Sequence, residues 1–379
     1  MTALSVLDLV PVRSDQSTGD AVAASLALAR TADALGVTRY WVAEHHNMPA
    51  VAATNPPVLI GLIASATRHL RVGSGGVMLP NHAPLVVAEQ LALLEAAFPG
   101  RIDLGLGRAP GSDPVTSHVL RRGVRDDGVD TFPDDVATLQ ALLGPDGVEV
   151  RLGERTYGLR ATPRATSAPQ LWLLGSSMYS AQLAASLGLP YVFAHHFAGR
   201  GVDEAVALYR REFRPSEALD APRTVLVANA AVAATEAEAR RLVLPQARSM
   251  FRLRSGLSLE PQELVEDAEA APLPVTASGL LDDLTAAWVV GTPEAAAAEL
   301  VRLADRIGAD EVMVQPVTGE VRGTDPRRSP HREETLRLLA AALGTVPRLE
   351  DGRQAGSEDG SAAGSDRAVA GREPQPVGA

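Results

Sequence analysis

The run LRVGSGGVMLPNHAPLVVAEQLALLEAAFPGRIDLGLGRAPG, Leu70–Gly111, holds one full strand–helix–strand unit. Leu70–Leu79 reads as a strand whose glycine cluster weakens its far end. Pro84–Phe98 reads as a helix, with Pro at its start and apolar residues at helical spacing. Arg101–Gly107 is the next strand, and a helix between two strands is the crossover of a parallel sheet.

The alternation continues in both directions. Upstream, Ser5–Val10 and Arg39–Glu44 read as strands, with helices over Asp20–Leu35 and Pro56–Thr67. Downstream, a loop-rich stretch to Thr131 precedes a helix near Asp134–Leu143 and a small hairpin over Val148–Tyr157. Strands follow at Gln170–Leu174, Tyr191–Ala194 and Thr224–Ala233, each with a helix behind it: Ser177–Leu187, Val202–Phe213 and Thr235–Leu253. A mixed insertion to Trp288 leads to helix Pro293–Ile307, strand Glu311–Gln315 and helix Arg332–Leu343. Eight β-then-α units in series predict an α/β protein, a single (β/α)8 TIM-type barrel over residues 1–344. A doubly wound sheet is the rival, but no strand is followed by G-x-G-x-x-G: Gly105 and Gly107 are two apart, and the next glycine is misplaced. From Thr345 the chain turns to Gly, Ser, Asp, Glu and Pro, so residues 345–379 are expected to be a disordered tail.

Composition removes whole classes of chemistry. The 379 residues include no Cys, which excludes thiol nucleophiles, disulfides and thiolate metal sites. All 35 basic residues are Arg, so Schiff-base, carbamylated and P-loop lysines are excluded too. A net charge of −11 repels phosphate backbones, so no nucleic-acid partner is expected. No apolar run approaches ~20 residues and the first residues lack a basic leader, so the chain is expected to be cytoplasmic, with no membrane partner.

A (β/α) barrel places its site at the C-terminal strand ends. Five of the eight His fall there: His45, His46, His82, His195 and His196. A metal centre with Glu44 is the obvious use, but neighbouring strand residues face opposite ways and the H-x-H spacing is missing, so no metal is expected. After strand five, Gly175 permits a tight exit, and Ser176, Ser177 and Ser180 surround a helix N-terminus suited to phosphate. Arg108, leaving strand four, offers a guanidinium to the same anion; Arg121, Arg122 and Arg125 are further candidates. Gly73–Gly76 would let a flat ligand lie against strand three. Asp8 is a lone polar residue in an apolar strand, read as a site carboxylate or as the partner of a neighbouring polar group.

Together AEHHN (43–47), RVGSGGVMLPNH (71–82), RIDLGLGRAPG (101–111) and LLGSSMYSA (173–181) resemble the bacterial luciferase-like flavin-dependent monooxygenases, and the resemblance runs from Ser5 to Leu343. It implies a barrel that binds reduced FMN at its C-terminal rim, supplied by a separate flavin reductase, and a homodimer. It implies His45 as the catalytic histidine, and Arg108, Ser176, Ser177 and Ser180 as phosphate ligands. It implies a bulge at Gly75–Gly76 against the flavin, often with a non-prolyl cis peptide. Asp8, Glu44, His46, Asn81 and His196 are expected in the substrate or supporting part of the site. The implied reaction is oxygenation of a small organic substrate by dioxygen through a flavin C4a-hydroperoxide. The pair His195–His196 departs from the pattern, so long-chain aldehyde chemistry is not carried over. A deazaflavin-dependent hydride-transfer enzyme and a non-catalytic flavin-binding protein are the alternatives.

Overall fold

The computed structural model describes residues 3–123, 130–198, 200–271 and 285–346. The predicted tail from 347 onward, Arg125 and much of the predicted insertion therefore lie outside the described residues. The strands are β1 (Ala3–Asp8), β2 (Arg39–Val42), β3 (Arg71–Ser74), β4 (Val77–Met78), β5 (Ile102–Gly107), β6 (Val148–Leu152) and β7 (Arg155–Leu159). They continue with β8 (Gln170–Gly175), β9 (Tyr191–Phe193), β10 (Thr224–Val232), β11 (Val289–Gly291) and β12 (Glu311–Pro316). Parallel pairing runs β10–β12–β1–β2–β3–β5–β8–β9 and closes from β9 back to β10. The predicted eight-stranded barrel is what forms. β6 and β7 form the predicted separate hairpin.

Strand alternation sorts the side chains into two shells. Leu4, Val6, Tyr40, Val42, Val72 and Leu104 point outward and pack with helix residues such as Leu28, Ile60, Leu91 and Leu336. Leu7, Trp41, Trp172, Val192, Val225, Val227 and Met313 point inward and fill the barrel. The N-terminal end is plugged by charge: Arg39, fully buried, holds Asp103 at 2.7 Å and Glu311 at 2.7 Å, and its guanidinium lies 4.7 Å from the Trp172 ring centre. Trp41 donates to Asp103 at 2.9 Å. A buried ion set of this kind is tolerated because each carboxylate and the guanidinium are mutually satisfied. With that end filled, the open end is the C-terminal one.

Several elements differ from their sequence reading. The third strand is split into β3 and β4 by Gly75–Gly76, where the peptide bond is cis. The helix expected over Thr235–Leu253 is two helices, Glu236–Leu242 and Leu244–Arg254, because Pro245 cannot continue the first but fits the opening turn of the second. The stretch read as loop contains helix Pro114–Leu120, started by Asp113, whose carboxylate accepts from the Val115 and Thr116 amides. β11 arises beside the insertion, paired with the far end of β10. No helix among the described residues is long and apolar enough to cross a membrane.

Asp8 requires a correction as a site residue. It shares the outward parity of Leu4 and Val6 and is fully buried between barrel and helices. Its oxygens accept from Arg332 at 2.7 Å, from Ser25 at 2.6 Å and from Tyr40 at 2.5 Å. It is the satisfied partner of neighbouring polar groups and does not reach the barrel mouth.

Candidate functional site

The exit of β2 delivers Glu44, His45 and His46 to the mouth. Glu44 is fully buried and acts as a hub: Oε1 meets His46 Nε2 at 2.8 Å and His82 Nε2 at 2.7 Å, while Oε2 accepts from the Met78 amide at 3.0 Å. Burial alone would raise its pKa, but the hydrogen bond and charge of His82, with the hydrogen bonds from His46 and the Met78 amide, bring it below the ordinary glutamate value. The hub fixes the segment carrying His45 to the segment following Gly75–Gly76. Adjacent His residues do face different ways, as expected; the cluster instead joins Glu44 to His46 two residues on and to His82, 38 residues on. The three donor atoms lie within 4.8 Å of one another, a two-His, one-carboxylate set that could hold a metal ion.

His45 sits between the two anchored residues. Its amide donates to Ala53 O at 2.8 Å, and its ring Nδ1 is buried with no partner among the described residues. Burial pushes its pKa below the ordinary histidine value, so the ring is neutral near pH 7.

Close packing explains the glycine pair. A Cβ on Gly75 would stand 2.6 Å from Leu7 Cδ1, and one on Gly76 would stand 2.8 Å from Gly105 O. Asn81 lies in the following turn with both polar ends used, Nδ2 to Pro110 O at 2.8 Å and Oδ1 from Arg121 Nε at 3.2 Å. It ties loops together.

Beside this, β5 delivers Arg108 and β8 delivers the serines. The Arg108 guanidinium stacks 4.0 Å from the ring centre of Tyr179 and has no carboxylate partner among the described residues. Tyr179 is in the first turn of helix Met178–Leu187, whose N-cap residue Ser177 is extended and makes no side-chain capping bond. Ser176 and Ser177 are exposed. Ser180 is instead buried and donates to Ser177 O at 2.8 Å, so its hydroxyl turns back into the helix. Gly175 is required here, since a Cβ would meet Ser180 Oγ at 2.2 Å. Uncapped helix N–H groups beside an unpaired guanidinium make an anion seat.

Next around the ring, after β9, His195 and His196 belong to a short helix, His195–Ala198, and not to the strand end. The pair separates: His195 feels Arg306 and Asp203, which lie on the outer helices, whereas His196 feels His45. Burial first, then the neighbouring imidazoles, push the His196 pKa down to about 4. Asn229 on β10 donates Nδ2 to His196 O at 2.9 Å, and its Oδ1 has no partner among the described residues. Sequence reading passed over Asn229, although a lone amide inside TVLVANAAVA is the same kind of signal as Asp8.

Comparison with known proteins agrees with this architecture. The luciferase-like monooxygenase family profile matches residues 2–311. A luciferase-like monooxygenase of Escherichia coli is 41% identical over 312 residues, 82% of this chain and 90% of its own length. The N-acetyl-S-alkylcysteine monooxygenase of Bacillus subtilis is 34% identical over 304 residues, 80% of this chain and 89% of its own. The crystal structure of apo-MsnO8 superposes with a TM-score of 0.79 at 35% identity, covering 92% of this chain and all 100% of that one. Fold and sequence similarity over most of both lengths coincide, and the chain belongs to the luciferase-like monooxygenase family.

Proposed function

We propose that this protein is a monooxygenase that uses reduced FMN and dioxygen to oxygenate a small organic substrate. The observation that carries the reading is Arg108, unpaired, stacked on Tyr179 beside the uncapped helix N-terminus, in a mouth whose other wall carries His45 with an unpartnered ring nitrogen. Reduced FMN, when bound, supplies the electrons that activate dioxygen. Arg108, Ser176 and Ser177 would hold its phosphate, and the Gly75–Gly76 backbone would allow a flat ring to approach. His45, neutral in its buried setting, would hold or move a proton at Nδ1. The hub at Glu44 keeps His45 in place.

The cofactor reading favours FMN over a deazaflavin, whose acidic tail needs a basic groove. In the RRGVR segment Arg121 is already spent on Asn81. A separate flavin reductase as the source of reduced FMN is part of this reading, as the family resemblance implies. A homodimer is supported by an apolar face: Val58 and Leu62 on helix Pro56–Ala66, with Val86 and Leu93 on helix Pro84–Ala97, all 42–59% exposed.

Anaerobic titration with reduced FMN, followed by mixing with oxygenated buffer, tests the proposal. Binding by the wild type and a flavin absorbance transient on mixing are expected, with binding weakened about ten- to hundredfold in Arg108→Ala. Failure of the wild type to bind reduced FMN overturns it.

A further inference from the structure

The mouth holds three buried polar atoms without a partner among the described residues: His45 Nδ1, His196 Nδ1 and Asn229 Oδ1. Asn229 is the informative one. It is 1% exposed and has the inward parity of Val225 and Val227 on β10, so its amide rises from the barrel floor side into the mouth. Its Nδ2 is committed to His196 O at 2.9 Å, which fixes the amide's orientation and leaves Oδ1 as an acceptor only. A buried carbonyl oxygen left without a donor is costly, and no described residue supplies one.

The surroundings limit what that donor is. His45 and His196 each offer an imidazole whose buried Nδ1 has no partner among the described residues. The nearby carboxylate, Glu44, has its oxygens occupied by His46, His82 and the Met78 amide. An ammonium group would find no free carboxylate, and a carboxylate or phosphate would set acceptor against acceptor. Arg108, unpaired among the described residues, is taken by the flavin phosphate in the reading above. We propose that Asn229 Oδ1 is a substrate-recognition point, and that the substrate presents a neutral N–H or O–H donor to it, as an amide or an alcohol does. An amide fits both sides, giving N–H to Asn229 and accepting at its carbonyl from an imidazole N–H. The inference rests on the monooxygenase reading for calling this ligand a substrate. The flavin ring also carries a neutral imide N–H, so the test separates the two sources.

Calorimetry on the full-length protein without FMN would compare hexanamide with 2-heptanone, which differ only in NH2 against CH3 on the carbonyl. The wild type is expected to bind the amide at least about tenfold more tightly. In Asn229→Leu the difference should fall to within about twofold while FMN affinity stays unchanged. Asn229→Ala repeats the comparison in case Leu strains the mouth, with circular dichroism confirming the fold of each variant. Equal affinities in the wild type, or no binding of either probe, overturn the inference. So does loss of FMN binding in Asn229→Leu with the amide preference intact, which gives the oxygen to the flavin. A chain that keeps the amide preference but does not bind reduced FMN would sink the flavin reading alone.

Discussion

His196 shows what burial does to a single residue. Its folded pKa is about 4, against an ordinary histidine value of 6.5. Between those two pH values the unfolded chain binds more protons than the folded one, so stability is full above pH 6.5 and is lost as pH falls toward 4. His45 and His195 are shifted in the same direction and add to the slope. In chemical denaturation at a series of pH values, His196→Gln should flatten this loss by on the order of 2 kcal/mol. An unchanged slope would mean that His196 is solvated and titrates normally. At this scale the sequence is legible where a residue type announces its chemistry next to a strand end, as His45 and Arg108 do. It is silent on partnership: nothing local to His82 says that it meets Glu44, because the contact is made by folding two strand exits together.

At the scale of elements, the last helix is locked to the first strand. Arg332, in helix Pro330–Ala342, donates to Asp8 at the end of β1 and to Pro316 O at the end of β12, at 2.7 and 3.0 Å. Both charges are buried, and losing one leaves the other unpaired. Arg332→Met is therefore expected to cost about 3–5 kcal/mol in urea unfolding, and Asp8→Asn added to it should recover part of that. A loss within error of zero would show that Ser25 and Tyr40 satisfy Asp8 without the guanidinium. Element existence was legible throughout the barrel because Pro at helix starts and the change of apolar period are local signals. Short pieces such as helix Pro114–Leu120 escaped, since seven residues display too little periodicity to read.

For the whole molecule, the exposed apolar face of helices Pro56–Ala66 and Pro84–Ala97 predicts association of two chains. Leu62→Glu combined with Leu93→Glu should convert a dimer to a monomer in sedimentation velocity, with thermal stability of the folded chain otherwise little changed. A wild-type protein that sediments as a monomer at micromolar concentration would sink that expectation. By itself the sequence determined the eight-fold repeat of strand and helix, the cysteine- and lysine-free chemistry and the strand ends where a site forms. Each depends on spacing within a few residues or on composition. Only the tertiary structure decided which lone polar residue faces the barrel mouth. Asp8 and Asn229 carry similar local signals, each a single polar side chain in an apolar strand. Register around the closed ring turns Asp8 outward to Arg332 and Asn229 inward to the mouth, because a strand has two faces and pairing with its neighbours fixes which one looks into the barrel.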